Sequence, residues 1–102
     1  MGCGDAATPP IACTLTAGEL TDRASEWAEL LALVSEREAT ANGVRLRLPC
    51  TPQVAAIAAD LIVREVQCCA FFTFVLNVDL TGVCLEVTAP PDGRGLLEQL
   101  IQ

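Results

Sequence analysis

Apolar side chains recur along the chain with two periods, and each switch between them marks the end of an element. Ile11, Cys13 and Leu15 fall on one side of an alternating run, the pattern of a short strand. Thr16 with Glu19 three residues on is a capping box, so a helix is expected to begin there. Leu20, Ala24, Trp27, Leu31 and Val34 follow at helical spacing, while Asp22, Arg23, Glu26 and Glu29 occupy the rest of the cylinder. Asn42-Gly43 offers two readings, the C-terminal cap of a long first helix or the two-residue turn of a hairpin. Alternation of Val44, Leu46 and Leu48 with Arg45 and Arg47 favours the hairpin, pairing residues 36–41 with 44–50 and leaving the polar first strand at a sheet edge.

Thr51-Pro52 supplies a cap and a first-turn proline for a second helix, whose expected inward positions are Ala55, Ala58, Ile62, Val66 and Cys69. Phe72, Phe74, Leu76 and Val78 then alternate with polar or smaller residues, Thr81-Gly82 turns the chain, and Val83, Leu85 and Val87 form the inner face of the last strand. Pro90-Pro91 ends that strand, and residues 95–102 suit a short terminal helix. The expected fold class is α+β, a two-layer sandwich with a ferredoxin-like βαββαβ order plus an added C-terminal strand and helix. Without the hairpin, the order becomes βαβαββα. Residues 1–10, rich in Gly and Pro, read as a flexible tail, and residues 11–102 as a single domain.

Composition narrows the function classes. With 52% apolar and 19% charged residues, the 102-residue chain has the makings of a core. A net charge of −7 argues against nucleic acid or an anionic membrane as partner. There is no histidine, which leaves thiols, carboxylates and backbone to do any chemistry. The start of the chain lacks the basic and apolar stretches of a secretory signal, and the most apolar run, residues 54–63, is short and carries Asp60. A cytoplasmic setting is therefore expected, where six cysteines read as thiols or metal ligands rather than as a disulfide framework.

Those cysteines divide by position. Cys50 precedes the second helix and Cys68-Cys69 end it, a rise of roughly 25 Å, so they cannot share a site. In a ferredoxin-like order the first strand brings Cys13 to the Cys68-Cys69 end, and Cys84 falls with Cys50 at the other. Adjacent cysteines close a disulfide only through a strained ring, which leaves both sulfurs available. Three thiolates suit mercury(II) or arsenic(III), whereas structural zinc normally takes four ligands. Cys3 could add a fourth sulfur, the condition for an iron–sulfur cluster. Glu65, three residues before Cys68 and on the same helical side, is a candidate further ligand or proton donor; its plain alternative is a solvated helix carboxylate. Cys50 and Cys84 read most simply as small core residues, Trp27, Phe71, Phe72 and Phe74 as core, and Arg45 and Arg47 as a solvated strand face.

Ile11-Ala-Cys13-Thr-Leu-Thr16, Gly43-Val-Arg-Leu-Arg-Leu48 and Glu65-x-x-Cys68-Cys69-x-Phe71-Phe72-x-Phe74 together resemble a set of small bacterial proteins. These carry a Cys-x-Leu-Thr start and a Glu-x-x-Cys-Cys-x-Phe/Trp motif, and the likeness spans roughly residues 11–102. It implies soft-metal or metalloid handling, as in mercury or arsenic resistance, through Cys13, Glu65, Cys68 and Cys69. The Cys-x-x-Cys of copper-transfer domains and the Cys-Pro of sulfur-relay proteins are both absent. The expected function is thiol-based binding of mercury(II), then arsenite, ahead of copper or zinc. Two alternatives stand beside it. One is an organomercurial-cleaving enzyme using two cysteines and Glu65; the other is a metal-free thiol switch or interaction module. A homodimer is expected if the added strand leaves an open edge.

Overall fold

The structure is a computed structural model that describes residues 17–101; the expected strand 11–15, the Thr16 cap, Cys13 and Cys3 lie outside the described residues. In chain order the elements are α1 (Ala17–Leu31), β1 (Glu36–Ala39), β2 (Gly43–Leu48), α2 (Pro52–Cys68), β3 (Thr73–Asp79), β4 (Gly82–Thr88), a 3-10 turn (Pro91–Gly93) and α3 (Arg94–Leu100). The strands make one antiparallel sheet in the order β1-β2-β4-β3. The mixed α+β class is as expected. The detailed order is not: a ferredoxin-like sheet would seat strand 11–15 between β2 and β3, and β4 occupies that place. The supposedly added strand is thus central, crossed over by α2.

The hairpin reading of residues 36–48 holds, with its turn moved back one residue. Ala39 faces Val44, and Thr40 N–H donates to the Gly43 carbonyl at 2.9 Å, so the tip is Ala41 and Asn42. Gly43 belongs to β2, where a Cβ would lie 1.8 Å from the Val87 carbonyl oxygen of the neighbouring strand. Closeness of two backbones, not a turn, requires the glycine. In the second hairpin Asp79 faces Gly82, whose φ of 144° closes the turn, and the Asp79 carboxylate accepts the Thr81 N–H at 2.8 Å.

Val44, Leu46 and Leu48 of β2 and Val83, Leu85 and Val87 of β4 point inward, where Trp27 and Leu30 of α1 and Ala58 and Leu61 of α2 cover them. The outer face carries Arg45 and Arg47, paired with Glu38, Glu86 and Glu36, as a solvated strand face would. Two helix faces differ from expectation. The buried positions of α2 are Val54, Ala58, Leu61, Glu65 and Cys68, a rotation of about one residue that leaves Val66 39% exposed. On α1, Leu20 is 47% exposed, and burial falls on Trp27 and Leu30. No helix among the described residues is long and apolar enough to cross a membrane.

Candidate functional site

The site forms where the middle of α1 meets the C-terminal end of α2. Thr51 starts α2 by accepting the Val54 N–H at 3.1 Å, with Pro52 in the first turn where its missing N–H costs nothing. Seventeen residues later the helix ends at Cys68, and Cys69, already outside helical geometry, still donates its N–H to the Glu65 carbonyl at 2.7 Å. The two helices are clamped on the surface by Arg64, which grips both oxygens of Glu26 at 3.0 and 2.7 Å and bonds Asp60 at 3.0 Å.

One residue inward lies Glu65, 2% exposed and the buried charged residue among those described. Its Oε1 accepts the Trp27 indole N–H at 2.8 Å and the Arg23 guanidinium at 3.1 Å. The same guanidinium nitrogen reaches Cys68 Sγ at 3.3 Å, while the Cys68 thiol donates to the Arg64 carbonyl at 3.0 Å. Burial works against the Arg23 charge, but its hydrogen bonds to Cys68 and Glu65 outweigh that and hold the group above its ordinary range. Trp27 is kept in place by its ring stacking on Phe74 at 5.9 Å, which Phe72 meets edge-on.

Beside this cluster is a cavity of about 420 Å³. One α1 stripe, Leu20, Ala24, Ala28 and Leu31, forms a wall, and Leu96 and Leu100 of α3 face it. Its polar and sulfur-bearing wall is Arg23, Glu65 and Cys69, with Gln99 at the α3 side. Cys69 is 4% exposed and Cys68 9%.

The sequence-derived candidates Glu65, Cys68 and Cys69 are therefore together, and Cys13 lies outside the described residues. Among the described residues no group of three or more His, Cys, Asp or Glu side chains is arranged to hold a metal ion. Glu65 is not the solvated carboxylate of the plain alternative; it anchors Arg23 and Trp27. Cys50 and Cys84 are not core residues. Cys50 is exposed with its Sγ 3.5 Å from the Asp79 carbonyl, and Cys84 is part-exposed on the outer sheet face, opposite Arg47 and Asn77. The aromatic residues are core, as expected.

Two contributors are not evident from the sequence pattern: it places Arg23 on the solvated flank of α1 and Trp27 in the plain core, yet both donate to Glu65. The available signal was their spacing: four residues apart, they share a face of one helix. No protein-family model, no curated protein and no solved structure matches the chain.

Proposed function

We propose that the protein binds a thiophilic metal or metalloid ion, mercury(II) first and arsenite second, through the Cys68–Cys69 pair, with Cys13 as a third sulfur. The observation that carries this reading is the Arg23 guanidinium 3.3 Å from Cys68 Sγ. The C-terminal end of a helix is the negative end of its dipole, a poor place for sulfur bearing negative charge unless a cation stands by. Arg23 is that cation, part-buried beside the thiol, and its bond to Glu65, itself held by Trp27, keeps it there. Likeness to the Glu-x-x-Cys-Cys proteins points the same way. Ion entry would proceed by thiolate exchange with release of the thiol protons. A cytoplasmic setting, where thiols stay reduced, belongs to this reading.

Binding is preferred over carbon–mercury cleavage because Glu65 Oε1 accepts from two donors, one of them cationic, and so acts here as an anchor rather than a proton source. The test is titration of the fully reduced protein with mercury(II) under anaerobic conditions, against a competing small thiol. A one-equivalent complex with thiolate charge-transfer absorption, lost in Cys68→Ser/Cys69→Ser and weakened about tenfold in Arg23→Gln, is expected. Retention no stronger than by the small thiol, or equal retention by the double variant, overturns the proposal and leaves a metal-free thiol switch or interaction module.

A further inference from the structure

Resting on that reading, we infer that the site takes a ligand with an organic group: an aryl-substituted mercury(II), R–Hg(II), bonded to Cys69 with its ring in the cavity beside it. A bare ion needs sulfur and almost no space. The cavity measures about 420 Å³, within the range of small-molecule sites, and its walls are mainly aliphatic and aromatic. Two of its leucines, Leu20 and Leu96, are 47% and 38% exposed, so apolar surface stands open to solvent at its mouth.

The placement of the sulfurs among the described residues agrees with this. Of the two described cysteines at this end of α2, Cys69 lines the cavity and Cys68 does not, its sulfur lying against Arg23 and the Arg64 carbonyl. A mono-organic mercury(II) carries one positive charge and takes one thiolate, giving a neutral two-coordinate complex suited to an apolar pocket. In the step itself, R–Hg–X and the Cys69 thiol give R–Hg–S–Cys69 and HX. The Hg–S bond forms, the Hg–X bond breaks, the thiol proton leaves with X, and no group is oxidised or reduced.

Phenylmercury(II) and methylmercury(II) make the same Hg–S bond and differ only in the apolar group, so their comparison reads the cavity alone. Both are exchanged between the full-length protein, with Cys3, Cys50 and Cys84 replaced by Ser, and an excess of a small thiol. The single tryptophan, Trp27, reports binding by its emission, since its indole N–H bonds Glu65 at the cavity wall. Relative to the small thiol, phenyl is expected to be preferred over methyl by about tenfold or more. Cys69→Ser should remove the preference, and Ala28→Phe, at an exposed α1 position facing the cavity, should bring the ratio to about one with mercury(II) binding unchanged. Ala24→Leu is the second filling variant should Ala28→Phe fold poorly. Equal retention of phenyl and methyl, or a preference that survives both filled cavities, overturns the inference while leaving inorganic mercury(II) binding in place. Failure of mercury(II) and both organomercurials to outcompete the small thiol overturns the site reading as well.

Discussion

Glu65 shows how far a single residue depends on partners distant in sequence. A carboxylate taken out of water costs several kcal/mol unless its charge is met. Here the compensation comes from Arg23, 42 residues away, and Trp27, 38 residues away. Trp27→Phe keeps a ring against Phe74 but removes the indole donor, and is expected to cost about 1–2 kcal/mol in urea unfolding with an unchanged m-value. Arg23→Met, which leaves Glu65 buried without its cation, should cost about 3 kcal/mol in the same measurement. Gly43→Ala belongs to the same scale. Its Cβ would sit 1.8 Å from the Val87 carbonyl oxygen, so β2 and β4 must part, with an expected loss of about 2–3 kcal/mol by thermal unfolding. The glycine was visible in the sequence beside Asn42, and it suggested a turn; only the neighbouring strand reveals the real reason.

At the scale of elements, the two helices are joined by a part-exposed ion pair above the buried one. Hydrogen bonds from Arg64 hold the Glu26 carboxyl below its ordinary 4.5, and burial opposes them only in part. A carboxyl depressed in the folded state stabilises fully above its unfolded pKa, and that stability is lost as pH falls through the folded value. Glu26→Gln is therefore expected to lower stability at neutral pH by about 0.5 kcal/mol, the modest figure that solvent screening allows for a carboxylate 41% exposed. The difference from the parent should shrink as pH falls from about 5 to 3, which urea titrations across that window would show. The rotation of α2 belongs here too. Residues 54–66 are apolar on nearly every side, so periodicity alone leaves two inward faces almost equivalent. The face that wins is the one placing Glu65 opposite Arg23 and Trp27, and Val66 is left at the surface.

Across the whole molecule, the sheet order sets where stability is concentrated. β4 is bonded on both sides and contributes Val83, Leu85 and Val87 to the core, while β1 is a polar edge strand exposed along its length. Native-state amide exchange should accordingly be slower in β4 than in β1 by about a hundredfold or more. Similar protection in the two strands would contradict the order β1-β2-β4-β3. Placing β4 at the centre also means that the sheet is completed by a pairing distant in sequence, that of the β3–β4 hairpin with β2 across the α2 crossover.

Over the described residues sequence alone determined the elements, because capping, proline placement and periodicity are local and act within a few residues. It determined the polar edge strand and the inward faces of β2 and β4, and it singled out Glu65-x-x-Cys68-Cys69 as a candidate site. Tertiary structure decided the rest: which strand lies at the centre, which side of a nearly uniform helix turns inward, and that Arg23 and Trp27 bond Glu65. Those outcomes depend on pairing groups about forty residues apart, where charge, burial and space are settled jointly and no local pattern records the choice.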